Sequence, residues 1–204
     1  NIKLEENNSL ILGEHDRFWM ITSGGVDIFY ANIDENGEYS TALKYLYSAK
    51  SGELLFSLMT TENRQYDYKL IAISKGATIV AINKNKLLDI EHLFLKNMID
   101  RWVLKTAHCI QQKNSPRVYS IIEDSKEIIL NKDVIAFPAK GLLWVSILKG
   151  EFSFYSENKK VTLDSEVNYP IAVSNNLWLK VLTNNSNIKV LSTWAVLKDE
   201  IDFM

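Results

Sequence analysis

The side chains that most often hold catalytic metals are few and widely spaced in this sequence. Its three histidines are His15, His92 and His108. A metal centre inside a β-barrel needs several imidazoles and a carboxylate that converge on one point. His92 and His108 both fall in a segment with helical periodicity, where a rise of 1.5 Å per residue separates them by about 24 Å. We therefore expect no metal site and no cofactor.

Covalent catalysis is equally poorly supported by the residue types and their spacing. The single cysteine, Cys109, follows His108, but neighbouring residues on a helix do not face each other. The sequence contains neither a G-x-S-x-G elbow nor a nucleotide P-loop. Glu53, Glu62 and Asp67 form no convincing acid–base pair. We expect no catalytic residue. A lone cysteine also fits a reducing compartment, and thus a cytoplasmic location.

One spacing of aromatic residues and glycine occurs twice, 125 residues apart. Each copy has a tryptophan, a glycine six positions later and a Phe-Tyr pair four positions after the glycine, in WMITSGGVDIFY from Trp19 and WVSILKGEFSFY from Trp144. An apolar run, a glycine turn and an alternating run are typical of a β-hairpin. The repeat predicts two related β-domains in tandem.

The segments around the two copies read as short strands. Residues 9–82 alternate in hydrophobicity around turn signals that include Asn36-Gly37 and Lys75-Gly76, and residues 118–204 contain eight or nine further apolar runs separated by turns. Many short strands at this spacing are typical of a jelly roll or barrel. The sequence therefore predicts a mainly β protein of two β-barrel or jelly-roll domains.

Between the two β-regions the hydrophobic period changes to that of a helix. Ile90, Phe94, Met98 and Trp102 form an i, i+4 row, beside a second stripe of Leu95, Ile99 and Val103. Pro116 ends the pattern. We predict one long amphipathic helix over 84–113 that joins the domains. The predicted division is a first domain at 1–83, the helix and its turn at 84–116, and a second domain at 117–204.

The overall composition excludes several partner classes. The chain has 204 residues, a net charge of −2 and a sequence pI near 6.0, with Lys and Arg dispersed, which argues against nucleic acid. No run approaches the roughly 18 apolar residues of a membrane span, and no signal peptide is recognisable. Since the chain begins without Met, we expect it to be a piece of a longer protein.

The first domain with its following helix resembles the cyclic-nucleotide-binding family. The segment KGATIVAI at 75–82 is similar to the strand that closes that family's phosphate cassette, with Lys75 in the place of the phosphate-binding arginine. The resemblance implies a first domain that is cyclic-nucleotide-binding-like and a second that is a cupin-like double-stranded β-helix. The ligand-binding residues it implies are Ser57, Arg64, Lys75 and Thr78.

The other half of the cassette departs from the family pattern. Phe56-Ser57-Leu58 stands where the family has Phe-Gly-Glu, so the close backbone approach of glycine and the carboxylate acceptor are both lost. Lysine also lacks the two-pronged donor geometry of arginine. The implied phosphate cassette is therefore degenerate.

Four stretches resemble a second family across nearly the whole chain. FWMITSGGVDIFY, the SGELLFSL and LIAISKGATIVAI pair, LLWVSILKGEFSFY, and YPIAVSNNLWLKV with VLSTWAVL are similar to the N-terminal cytoplasmic region of the bacteriocin-export ABC transporter permease/ATPase subunits found with nitrile-hydratase-leader-like peptides. The resemblance implies an accessory region. Transport and ATP hydrolysis would belong to other parts of such a protein.

Three functions remain open at this point. The first is a non-catalytic regulatory domain that docks a leader peptide or a partner transporter subunit by strand addition. The second is a small-ligand sensor with a degenerate cyclic-nucleotide pocket, and the third is a cupin-type enzyme, for which the metal ligands are missing. We also predict that the helix at 84–113 either pairs two chains in a homodimer or packs across its own two domains.

Overall fold

The chain folds into two compact units, Asn1–Met98 and Ile99–Met204. The structure is a computed structural model and describes residues 1–14, 16–34, 39–57, 68–109, 119–124, 126–156 and 159–202. The division falls between Met98 and Ile99, whereas we placed a separate helical segment between two domains. The limits 1–83, 84–116 and 117–204 stay a prediction.

The described residues of the first unit form eight strands. Each strand comes from an alternating or continuous apolar run of two to eight residues. They are β1 Ile2–Leu4, β2 Ser9–Leu12, β3 Arg17–Ser23, β4 Gly25–Asn32, β5 Lys44–Lys50, β6 Leu54–Leu55, β7 Tyr68–Ser74 and β8 Ala77–Asn83. A 3-10 turn, Lys84–Asp89, follows, and helix α1 is His92–Cys109.

The second unit has nine strands within the described ranges, followed by a short helix. They are β9 Tyr119–Ile122, β10 Lys126–Leu130, β11 Ile135–Pro138, β12 Leu142–Lys149, β13 Phe152–Ser156, β14 Lys159–Leu163, β15 Ile171–Ser174, β16 Leu179–Val181 and β17 Ser186–Leu191, and helix α2 is Thr193–Asp202.

Both units arrange their strands in the same order. The first unit has the sheets β1-β8-β3-β6 and β2-β7-β4-β5. In the second unit the sheets are β10-β17-β12-β15 and β14-β13-β16-β11-β9. If β10 is counted as the first strand, eight strands of the second unit repeat the order of the first unit, and β9 is added at one edge. The predicted tandem repeat of a jelly-roll fold is confirmed at the level of strand order.

The sheets are open rather than closed into barrels. Each unit pairs its described strands within two separate sheets, and each sheet ends in two edge strands. The prediction of β-barrels is therefore wrong in this respect. The alternating burial along the strands explains the difference, because a layer of side chains fills the space between two sheets without closure of the hydrogen-bond ladder.

The repeated motif forms a corner between two sheets and not a hairpin within one. β3 pairs with β6 and β8, while β4 pairs with β5 and β7. Gly24 makes the corner with φ of +72°, and a Cβ there would lie 1.8 Å from the carbonyl oxygen of Gly76. In the second unit Gly150 has φ of +97°, and its added Cβ would lie 2.2 Å from Ser186 Oγ. Glycine is required at both corners because Gly76 of the β7–β8 connection, or Ser186 at the start of β17, lies against the backbone there.

Helix α1 begins later than predicted, after a separate 3-10 turn. Ile90 is extended with ψ of 137°, which separates the 3-10 turn from α1. The Glu91 carboxylate accepts the backbone N–H groups of Leu93 and Phe94 at 3.0 and 2.8 Å and so begins the helix at His92. Residues 110–113 lie outside the described residues, so the prediction of one helix from residue 84 is wrong at its start and untested at its end.

The buried stripe of α1 is the second of the two predicted ones. It contains Leu95, Ile99, Val103 and Ala107, all at most 9% exposed, together with Met98. Phe94, which we assigned to the first row, is 49% exposed. Two stripes that differ by one residue cannot be separated by hydrophobicity when both are apolar.

The interior of the second unit is mainly apolar, although Ser153, Ser174, Ser186 and Thr193 are also buried. Eleven buried side chains form its core, all of them apolar: Ile122, Leu130, Ala136, Val145, Ile147, Phe152, Val173, Leu179, Val181, Ile188 and Val190. Both sheets contribute to this cluster, which packs the layer between them.

Candidate functional site

Lys75 lies in the connection between β7 and β8, at the corner made by Gly24 and Gly25. Its backbone N–H donates to the Gly25 carbonyl at 2.9 Å. Its ammonium group lies 2.7 Å from Asp27 Oδ1 on β4. The cation that the family resemblance offered to a phosphate is thus already paired with a carboxylate.

Of the other predicted ligand residues, Thr78 lies at the same end of the sandwich as Lys75 and Ser57 does not. Thr78 is near it, since β8 places Thr78 beside Ser23, and the Thr78 carbonyl accepts from Thr22 Oγ1 at 3.1 Å. Ser57 follows β6, which pairs with Trp19 and Met20 and runs towards Arg17. Phe18 and Phe56 are the next pair of residues in this register, and their rings stack with centroids 5.9 Å apart.

Ser57 is therefore at the Arg17 end of β3, whereas Lys75 and Thr78 are at the Ser23 end. Six residue steps at 3.3 Å per residue correspond to about 20 Å. Arg64 lies outside the described residues. The structure brings Lys75 and Thr78 to one end of the sandwich and leaves Ser57 at the other.

A chain of hydrogen bonds surrounds Asp27 on the outer face of β4 and β5. Ser48 Oγ donates to Asp27 Oδ1 at 2.5 Å, and Tyr45 OH lies 3.1 Å from Ser48 Oγ. Burial alone would raise the pKa of Asp27, but the hydrogen bonds from Lys75 and Ser48 and the charge of Lys75 lower it below its ordinary value of 3.8. Asp27 therefore stays ionised and holds β4, β5 and the β7–β8 connection together.

The described residues offer no clear reactive centre. Within these ranges, no three His, Cys, Asp or Glu side chains lie close enough to hold a metal ion, and His15 is outside them. Burial raises the pKa of the Cys109 thiol, and its Sγ donates to the Lys105 carbonyl of the same helix at 3.3 Å. A raised thiol pKa lowers the thiolate fraction and thus the nucleophilicity of this side chain.

The strongest candidate surface is the edge strand β9, which lies outside the eight-strand order that the two units share. It pairs in parallel with β11, which places Tyr119 beside Ile135 and Ile121 beside Phe137. Ile122 is 2% exposed and anchors the strand in the core, whereas Tyr119 is 53% and Ile121 50% exposed. β9 ends its sheet, and no described strand pairs with its outer edge.

An apolar strip runs along this edge of the sheet. We define it as Tyr119 and Ile121 on β9 with Ile135 and Phe137 on β11. The rings of Tyr119 and Phe137 contact at 5.1 Å between centroids and are inclined by 42°. A strand added beside β9 would place its alternate side chains about 5 Å from Tyr119 and Ile121. The stretch RVYSII predicts a strand. Only the order of the strands puts it at an edge, and that order is not visible in the sequence.

Two other surfaces bear on the predicted partners. Leu93 is 63% and Phe94 49% exposed near the start of α1, so this helix has apolar surface, and a homodimer through it stays a prediction. None of the helices in the described ranges has the length and hydrophobicity needed to cross a membrane.

Comparison with known proteins adds only weak likenesses. No protein-family model and no curated protein matches the sequence. Among solved structures the chain is similar to cAMP-bound PfPKA-R (141–441), with 14% identity, 99% of this chain and 74% of that chain covered, and a TM-score of 0.31.

Two further structures match at similar levels. The regulatory subunit of a cAMP-independent protein kinase A from Trypanosoma brucei has 10% identity, coverage of 99% and 78%, and a TM-score of 0.27. A cupin 2 conserved barrel domain protein from Leptotrichia buccalis has 13% identity, coverage of 92% and 78%, and a TM-score of 0.23. TM-scores this low establish neither a shared fold nor a shared function, so the fold rests on the strand pairing of this chain.

Proposed function

We propose that this chain is a non-catalytic docking module that receives an extended peptide segment on the outer edge of β9. The observation that carries the proposal is that Tyr119 and Ile121, each about half exposed, lie on an edge strand that the shared jelly-roll order does not require. Edge strands bind peptides through backbone hydrogen bonds, and alternate side chains give specificity.

The geometry also indicates the chemistry of the partner. Tyr119 and Ile121 point to the same side of β9, because alternate residues of a strand share a face. Each is about half exposed, so a pairing segment with β-branched or aromatic residues at alternate positions would remove both from water. The partner is thus an extended segment with apolar residues at every second position.

The sequence resemblance suggests where such a module works. In a bacteriocin-export ABC transporter it would be a cytoplasmic accessory region, and the bound segment would be a leader peptide or a strand of a partner subunit. Other parts of such a protein would span the membrane and hydrolyse ATP.

A pair of matched variants tests the proposal. Ile121→Lys places a charge on the exposed face of β9, while Val161→Lys does the same on β14, the opposite edge of the same sheet, where Val161 is 46% exposed. The probe is a nine-residue peptide of alternating valine and threonine with a terminal lysine, and its affinity is measured by calorimetry. We expect Ile121→Lys to weaken binding at least tenfold and Val161→Lys to leave it unchanged.

Two further ligands distinguish docking from the other functions. The same peptide with a central proline, which lacks an N–H group, should bind more weakly. Equal affinity for both lysine variants, or no binding by the original chain, would contradict docking at β9. A rise in melting temperature with cyclic AMP or cyclic GMP would favour the sensor instead, because a ligand that binds only the folded state stabilises it.

A further inference from the structure

Three side chains from three elements of the second unit form one chain of hydrogen bonds. Trp144 on β12 donates its Nε1–H to Thr193 Oγ1 at 2.9 Å. Thr193, the first residue of α2, donates its hydroxyl hydrogen to the Asp100 carboxylate on α1. The direction of both bonds is fixed, because an indole N–H only donates and a carboxylate only accepts.

The central hydroxyl is enclosed by the protein. Thr193 is 1% exposed, so its hydroxyl is shielded from water. Loss of this hydroxyl would remove one hydrogen bond from the Trp144 indole and one from the Asp100 carboxylate, two groups that are partly buried. Both hydrogen bonds therefore depend on the hydroxyl group of Thr193.

Asp100 differs from other polar side chains on the same part of the helix. Thr106 Oγ1 donates to the Trp102 carbonyl at 3.0 Å, and Cys109 Sγ donates to the Lys105 carbonyl, so both bond back to α1. Asp100 instead reaches α2. Helix α2 itself contacts β12 and β17.

The tryptophan in this chain is one of the two that begin the repeated motif. Trp144 is the third residue of β12, and Trp19 is the third residue of β3, the strand at the matching place in the first unit. Trp19 is 3% exposed and packs in the core beside Leu55 and Ala81. In the second copy, the indole N–H of the tryptophan also donates a hydrogen bond to another side chain.

From these contacts we propose that Trp144, Thr193 and Asp100 act as a latch that holds the segment Ile99–Cys109 of α1 on the second sandwich. Opening of the latch at Thr193 lowers the free energy needed to detach this segment, whose Ile99, Val103 and Ala107 are also buried, while the two sheets stay folded. Any ligand or partner that displaces the start of α2 would therefore change the order of the second half of α1.

Hydrogen exchange on the whole chain tests the latch. Thr193→Val keeps the shape of the side chain and removes the hydroxyl, and Thr193→Ser keeps the hydroxyl as the matched control. We expect Thr193→Val to speed exchange of the amides at 101–109 at least tenfold, with Val145 on β12 and Val190 on β17 unchanged. Thr193→Ser should exchange like the original chain.

Two results would overturn the latch. One is unchanged exchange of α1 in Thr193→Val, which would mean that the bonds do not hold the helix. The other is equally faster exchange at Val145 and Val190, which would make Thr193 part of the global stability of the unit. If Thr193→Val does not fold, Trp144→Phe removes the first bond together with part of the ring, and should give a smaller increase at 101–109 that exceeds any at Val145 and Val190. A global increase or no increase in that variant would contradict the proposal.

Discussion

At the scale of single residues, the structure pairs Lys75, the cation of the implied phosphate cassette, with Asp27. The ammonium group that a phosphate would need already contacts a carboxylate at 2.7 Å, and Ser57 lies at the other end of β3. A phosphate would have to displace Asp27 and would gain no second donor from Ser57. Lys75 therefore has a structural part at the corner of the first sandwich.

The lowered pKa of Asp27 predicts how this part depends on pH. A carboxyl group whose pKa is lower in the folded than in the unfolded state stabilises the fold above its unfolded pKa and loses that contribution as pH falls through the folded pKa. The difference in stability between the original chain and Asp27→Asn should therefore be full above about pH 5 and should disappear below the folded pKa of Asp27.

The size of this effect should be small, since the Lys75 side chain is 55% exposed. We expect about 1 kcal/mol or less, as for other exposed ion pairs, measured by urea unfolding at several pH values. Asp89→Asn, which removes the exposed pair with Lys86, is the control and should have no measurable effect. A difference for Asp27→Asn that grows towards low pH would show that this assignment is wrong.

At the scale of elements, the glycine corners join the two sheets of each unit. Gly24 and Gly52 both have positive φ, but only the Cβ built at Gly24 meets backbone atoms, whereas that at Gly52 has nothing within 4 Å. Gly24→Ala should therefore destabilise the first unit by about 3 kcal/mol or more, from both backbone strain and overpacking.

Gly52→Ala isolates the cost of the backbone conformation and should destabilise the same unit by about 1 kcal/mol. The free energy of opening is measured by hydrogen exchange at the core amides of Ile28 and Ile79. Equal losses in the two variants would mean that the contact of Gly24 with the Gly76 carbonyl does not constrain the corner.

These elements also show what the sequence can and cannot predict. The strands and the internal repeat follow from alternation and from the fixed offsets after Trp19 and Trp144, because these are local patterns. A glycine between two strands predicts a turn, but it does not predict whether the two strands pair with each other. The sequence therefore predicts a hairpin where the structure has a corner. The start of α1 depends on the carboxylate of Glu91, and the helical periodicity of its neighbours obscured that cap.

At the scale of the whole molecule, two jelly rolls of one strand order differ in what they add to it. The second unit adds β9 with its apolar strip, the hydrogen bond from Trp144 to Thr193 and the helix α2. The first unit adds the Asp27 cluster at its corner. Neither the edge position of β9 nor the separation of Ser57 from Lys75 could be predicted, since both depend on pairing between distant strands. The proposed function therefore belongs to an edge of the fold and to no motif in the sequence.

The most direct test of this account is an amide-resolved NMR titration of the full chain with the alternating valine–threonine peptide. We predict that the largest shift changes occur at Tyr119–Ile122 and at the neighbouring residues of β11, with Ser57, Lys75 and Thr78 unaffected. Shift changes centred on those three residues on addition of cyclic AMP or cyclic GMP, with none at β9 on addition of the peptide, would contradict it.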